Sequence, residues 1–351
     1  MATTDDRAGQ TIAGRYELIE RLPLSAAPEA WRGRRLQDGS PVLIFYYPDA
    51  KLSGAVAQRF LREAPYVQGI EHTRLVPIVE VGVDPDGAAF AVSPLAEGET
   101  LATRLARGGR VPFTEAVPVL CDALAGLGAL HERNLVHRCI TSAEVVTYRE
   151  PGGRLRGKLL LGGLVGVLAH VAGEGVRARG DMARAYGSPR YLAPEQCRGD
   201  QATPETDVWA VGVVLYESLV GAVPFDGATA AEVIRAVLLD SPPLMFDAMP
   251  DVISEVIEQS LEKRAADRFT DAEAFCLILT SAYEKCRNSA PPIPPRTAPP
   301  QPIAASLPPT AVAPAGVAGE FAADDLDALV AGVKAEASPP TSFDLDFTAP
   351  G

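Results

Sequence analysis

The chain has 351 residues, with 45 acidic and 32 basic side chains and a formal net charge of −13. An apolar fraction of 47% is enough to bury a core, which excludes disorder throughout. The acidic balance argues against a nucleic-acid partner or an anionic membrane, since both call for a clustered basic face.

Five widely spaced cysteines with no Cys-x-x-Cys pair argue against a disulfide framework or zinc site and for a reducing compartment. The N-terminus, MATTDDRAGQ, lacks the basic and then apolar pattern of a secretory signal. The uncharged apolar stretch Leu159–Gly173 has 15 residues, short of the ~20 that span a bilayer. The expectation is a cytoplasmic chain with no membrane partner.

Composition divides the chain into a disordered leader (1–11), a folded domain (12–285), a Pro-rich linker (286–319) and an acidic tail (320–351). Of 31 prolines, 13 lie at or beyond Pro291, and such a stretch buries too little surface to offset its ordering entropy. Within the domain, strands are expected at Tyr16–Leu22, Glu29–Arg34 and Pro41–Tyr47. Asp38-Gly39 marks a hairpin between the last two. A helix is expected over Ala55–Gln68, and then a second strand pair, Leu75–Val81 and Ala88–Ser93, around Asp86-Gly87. Beyond residue 113 the apolar period becomes helical: Thr114 is placed to cap a helix carrying Leu120, Leu124, Leu127 and His131. Further helices are expected at Asp207–Val220, Thr229–Leu239, Val252–Lys263 and Asp271–Lys285. The tail carries Leu326, Leu329, Val330 and Val333 at i, i+3, i+4 and i+7, one apolar face of a short helix suited to docking on a protein partner.

Three motifs stand in order: Val136-His137-Arg138, then Gly187-Ser188-Pro189-Arg190-Tyr191-Leu192-Ala193-Pro194-Glu195, then Asp207-Val208-Trp209-Ala210-Val211-Gly212. In this order the chain resembles the bacterial Ser/Thr protein kinases, over about Arg15 to Tyr283. The resemblance implies an α+β, bilobal fold with a β-rich small lobe and a helical large lobe. It implies that Glu195 pairs with Arg268, that Asp207 holds the catalytic-loop backbone, and that His137 and Arg138 keep the family's structural places.

The family's chemical positions are degenerate. Pro23, Ser25 and Pro28 stand where glycines would cradle phosphate, and two prolines remove amide donors. Phe45 stands where the resemblance implies a lysine, so Glu63 is left as its unpartnered helix glutamate. Along that strand Leu43, Phe45 and Tyr47 share one face, which the resemblance implies is turned to the cleft. Cys139 replaces the aspartate base, Thr141 the phosphate-steadying lysine, Glu144 the asparagine on the second metal, and Leu161 the principal magnesium ligand. Without base, lysine and metal ligands the main terms of phosphoryl transfer are missing. The sequence therefore reads as a pseudokinase: not an enzyme, with no cofactor expected, serving as a signalling scaffold or allosteric partner.

Two alternatives stand beside it. One is a sensor holding an ATP-like ligand or small molecule without metal, at a hinge formed by Pro94 and Ala96. The other is residual or atypical Ser/Thr kinase or nucleotidyl-transfer activity using Glu144 and Glu63. Cys139 reads as a small filler rather than a nucleophile beside His137, and Glu144 as a solvated or salt-bridged side chain rather than a metal ligand. With no Ser or Thr between Leu164 and Gly187, Arg138 has no phosphorylated loop to grip and is expected to meet Glu174 or Asp181.

Overall fold

A computed structural model of the chain describes residues 7–22, 29–52, 54–165, 188–243 and 249–287. Pro23, Ser25 and Pro28, the acidic Glu174 and Asp181, the linker and tail, and the side chain of Glu63 lie outside the described residues.

Alternating apolar residues build the small lobe. Strands β1 (Thr11–Ile12), β2 (Tyr16–Leu22), β3 (Glu29–Arg35) and β4 (Pro41–Lys51) pair antiparallel in chain order. Helices α1 (Gly54–Glu63) and α2 (Pro65–Gln68) follow, then β5 (Leu75–Val76), β6 (Glu80–Val83) and β7 (Ala88–Pro94). The sheet order is β1-β2-β3-β4-β7-β6. Both hairpin signals hold, with Gly39 (φ 72°) and Gly87 (φ 89°) taking the left-handed conformation that the turns need. The period of two sorts β4 into two faces. Val42, Ile44 and Tyr46 pack in an outer cluster with Trp31 and Phe90, and Leu43, Phe45 and Tyr47 enter the main core.

Two expectations shift here. The single helix over 55–68 is broken at Ala64: the Ala64 backbone stays helical (φ −60°, ψ −32°), but Pro65 has no amide to donate to the Leu61 carbonyl four residues back and starts a new helix as its first residue. Leu75–Val76 does not belong to the hairpin with β7. It pairs in parallel with Leu159–Leu160, across to the second sheet, and the hairpin partner of β7 is Glu80–Val83 alone.

That second sheet runs β5-β10-β9-β8, with β8 at Glu99–Thr100, β9 at Val145–Arg149 and β10 at Leu155–Leu160. The large lobe is built on α3 (Leu101–Gly108), α4 (Phe113–His131), α5 (Pro194–Arg198), α6 (Pro204–Val220), α7 (Ala230–Leu239), α8 (Asp251–Ser260) and α9 (Ala272–Cys286). Helix α4 starts one residue before Thr114, with Pro112 at its N-cap. Its internal Pro118 has no amide for the Thr114 carbonyl four residues back, and the Tyr283 hydroxyl of α9 donates to that carbonyl at 3.5 Å. By length and composition α4 would suit a membrane, but it is a core helix. Eleven of its 19 residues are buried, and its Asp122 accepts from Arg156 at 2.7 Å and from the Gly157 amide at 3.0 Å. Helix α6 starts three residues before Asp207, at Pro204, and buries 14 of its 17 residues. At ~1.5–3 kcal/mol for each large side chain buried, it contributes heavily to the large lobe.

Candidate functional site

The site lies between the lobes, on the segment 137–144 that follows α4 and on the end of β10. Asp207, at 0% exposure on α6, holds this segment from below. Its Oδ2 accepts the His137 amide and its Oδ1 the Arg138 amide, each at 2.7 Å. His131 Nε2 lies 3.0 Å from the same carboxylate. Arg138 takes a left-handed backbone, φ 70°, which costs energy for a residue with a Cβ. It is clamped there from both sides, its amide by Asp207 and its carbonyl by Gln196 Nε2 at 2.7 Å. The role expected for Asp207 is therefore present in the geometry. Gln196 is a contributor that sequence reading missed, and its position directly after Glu195 was the available signal.

Glu195 and Arg268 form the expected pair, with two parallel bonds of 2.8 and 2.9 Å and side chains 9% and 0% exposed. The Thr206 hydroxyl also donates to Glu195 at 2.8 Å. Arg268 spends its other donors on the carbonyls of Glu262 and Glu205 and lies over the Trp209 ring, 5.0 Å from its centroid. Burial alone would raise the Glu195 carboxyl. The Arg268 fork outweighs it and the net shift is downward.

At the chemical positions the side chains are apolar or buried. Phe45 and Leu161 are 1% and 0% exposed. A Cβ placed on Gly162 would sit 2.3 Å from the Phe45 ring, so the ring lies flush against the backbone that follows Leu161. The Tyr47 hydroxyl donates to the Gly162 carbonyl at 2.5 Å. Leu43, Phe45, Tyr47, Leu161 and Leu164 belong to one apolar cluster that continues into α4 and α6. The lobes are thus joined through the place where the resemblance implies a nucleotide.

Cys139 is 6% exposed, with Sγ 3.5 Å from His137 Nδ1. His137 Nε2 meets the Leu160 carbonyl at 2.9 Å, so that nitrogen carries the proton and Nδ1 is the acceptor. Burial lowers the His137 pKa and raises that of Cys139 well above the ordinary thiol value, with Glu144 adding to the latter. Both groups are held neutral, and a thiolate–imidazolium pair is disfavoured. Thr141 uses its hydroxyl within its own turn, accepting the Ala143 amide at 3.1 Å.

Of the two places expected for Glu144, the solvated one does not hold: it is 1% exposed, because the 141–144 turn and the pairing of its carbonyl with the Leu160 amide at 2.8 Å draw it inside. Its Oε1 comes within 3.4 Å of a Cβ placed on Gly163. With apolar Leu161 opposite, and no cluster of three acidic, His or Cys ligands among the described residues, the residues present do not fit the family's magnesium site.

At the hinge, Pro94 is exposed at the end of β7 and Ala96 is half-buried. Leu43, opposite Ser93, is 3% exposed and fills the space beneath. A further group escaped sequence reading: the Tyr191 hydroxyl donates to Glu217 at 2.8 Å and lies 3.1 Å from Ser142 Oγ. This ties the end of the 188–191 segment to the loop and to α6.

A family model described as protein kinase domain matches residues 46–279, starting one residue after Phe45. The Ser/Thr protein kinase pkn3 of Myxococcus xanthus is 27% identical over 87% of this chain and 56% of its own length. For pkn2 of the same organism the figures are 28%, 78% and 33%. The Ser/Thr protein kinase PknL of Mycobacterium tuberculosis is 28% identical over 81% of this chain and 69% of its own length. The chain thus spans about half and a third of the two Myxococcus relatives. The crystal structure of the Mycobacterium tuberculosis PknI kinase domain superposes with a TM-score of 0.60 at 20% identity, covering 79% of this chain and 98% of that one; this likeness speaks for the fold.

These relatives overturn one expectation. The chain was read as not an enzyme, but the proteins it matches over most of its length are named as Ser/Thr protein kinases, and they point to an enzyme. With the family model covering more than half of the residues, and the Asp207 clamp and the Glu195–Arg268 pair in place, the chain belongs to the protein kinase domain family.

Proposed function

We propose that this protein is an atypical Ser/Thr kinase of bacterial signalling, transferring phosphoryl groups to protein hydroxyls from a large-lobe platform kept in family form. The observation that carries the reading is the two-sided clamp of Asp207 and Gln196 on Arg138, which holds a strained loop in place beside the 188–195 segment. A strained backbone persists only where its surroundings over-determine it. The named relatives support the same class. On this reading Phe45 and Leu161 separate to admit the nucleotide. Cys139 supplies no general base, a loss of ~10²–10⁴-fold, so transfer is slow and rests on positioning.

The test is incubation of purified full-length chain with labelled ATP, with and without divalent cations, followed by phosphosite mapping. Slow incorporation into Ser or Thr, abolished by Asp207→Ala, is expected. No incorporation above a denatured control in any condition would refute the reading.

A second reading is favoured by the apolar closure of the cleft through Phe45, Tyr47 and Leu161. A domain latched in one lobe arrangement suits an allosteric or scaffolding partner, reached through residues 320–351. Co-purification with full-length chain and its loss on deleting that tail is the expected result; identical partners with both forms would refute it.

A further inference from the structure

Helices α4 and α9 bring together two cysteines that lie 155 positions apart in sequence. Cys276 Sγ lies 3.6 Å from the Cys121 carbonyl oxygen. Cys121 Sγ lies 3.4 Å from Oγ1 of Thr280, which shares a helix face with Cys276, one turn on. Each thiol perturbs the other's titration, Cys121 upward and Cys276 downward. Both cysteines are free and only partly buried, whereas Cys139, Cys197 and Cys286 are buried.

We propose that Cys121 and Cys276 are a redox modification site, closing into a disulfide on exposure to a hydroperoxide and reopening with a dithiol reductant. The thiolate of Cys276 attacks one peroxide oxygen and the O–O bond breaks; the departing hydroxide takes up the proton Cys276 had released and leaves as water, so Cys276 becomes a sulfenic acid. Cys121 sulfur then attacks Cys276 Sγ, the S–O bond breaks, and the hydroxyl leaves as a second water with the Cys121 proton. Two thiols lose two electrons and one hydrogen peroxide becomes two waters.

The order of attack follows from the surroundings. Hydrogen bonding from Cys121, and secondarily from Thr280, holds Cys276 down to about 7 despite its partial burial. The same contact pushes Cys121 up. Cys276 therefore holds the larger thiolate fraction at neutral pH, and the thiolate is the nucleophile. Cys121, whose carbonyl oxygen lies 3.6 Å from Cys276 Sγ, is the resolving thiol. Once closed, the bond ties the first long helix of the large lobe to its last and restricts the unfolded chain between them.

The experiment is brief treatment of reduced, full-length native protein with hydrogen peroxide, alkylation, and peptide mapping without reductant. The expected result is a linked Cys121–Cys276 peptide as the dominant product, a higher melting temperature, and return of both changes with dithiothreitol. In Cys121→Ser, dimedone should trap a sulfenic acid on Cys276. The proposal is overturned if wild-type Cys276 advances to sulfinic acid with no linked peptide. It is equally overturned if the dominant link joins Cys139, Cys197 or Cys286. The wild-type mapping decides the matter even if the serine variant fails to fold.

Discussion

Replacing Arg268 by leucine removes a guanidinium that is 0% exposed and engages both oxygens of Glu195. The carboxylate, 9% exposed, keeps the Thr206 hydroxyl at 2.8 Å as a donor but loses its cation. The carbonyls of Glu262 and Glu205 lose their bonds of 2.7 and 2.9 Å. Stranding one partner of a buried pair costs about 3–5 kcal/mol, a fall in melting temperature on the order of 10 °C for a domain of this size. Glu195→Leu should cost a similar amount, by stranding Arg268 instead. The double variant should be less damaged than the sum of the singles, since no charge is left without a counter-charge. The pH dependence has a definite sign. The folded-state pKa of Glu195 lies below its unfolded value, so the stabilisation is full above the ordinary glutamate value of ~4.3. It is lost as pH falls through the lowered folded-state value. Urea unfolding of the four proteins between neutral and acid pH measures this. Single variants within about 1 kcal/mol of wild type, or strictly additive effects, would refute the reasoning.

Phe45→Ala should cost ~3–5 kcal/mol, the loss for a large ring whose site cannot fully collapse; a change under ~1 kcal/mol in urea unfolding would mean the ring is not packed on Gly162. Tyr47→Phe should lose about 1 kcal/mol with the bond to the Gly162 carbonyl, read from the same unfolding curves. Cys139→Asp should destabilise increasingly as pH rises, because a second carboxylate beside buried Glu144 takes a raised folded-state pKa. A pH-independent difference from wild type would contradict this. Native Cys139 should resist iodoacetamide at neutral pH and react only after unfolding, with mass spectrometry as the readout, because burial keeps its thiol protonated.

Much of the arrangement was legible in local patterns. The period of two along Val42–Tyr47 put Leu43, Phe45 and Tyr47 on one face, and they do enter one core while their neighbours enter another. The turns at Asp38-Gly39 and Asp86-Gly87 were legible because a positive φ leaves a residue-type signature. The break at Ala64 was not read, although Pro65 carried the signal for it.

What the sequence determined by itself was which chemical groups stand at each position. A phenylalanine at 45, a cysteine at 139 and a leucine at 161 are covalent facts, and their spacing from Asp207 and Glu195 placed them in one family of folds. Only the tertiary structure decided where those groups end up. Leu75–Val76 joins β10 rather than β7, Glu144 turns inward to 1% exposure, the Phe45 ring lies on Gly162, and Cys121 meets Cys276 across two helices. Each of these depends on segments outside the local period coming into contact. A local period records which face of an element is apolar, but not which distant face will cover it.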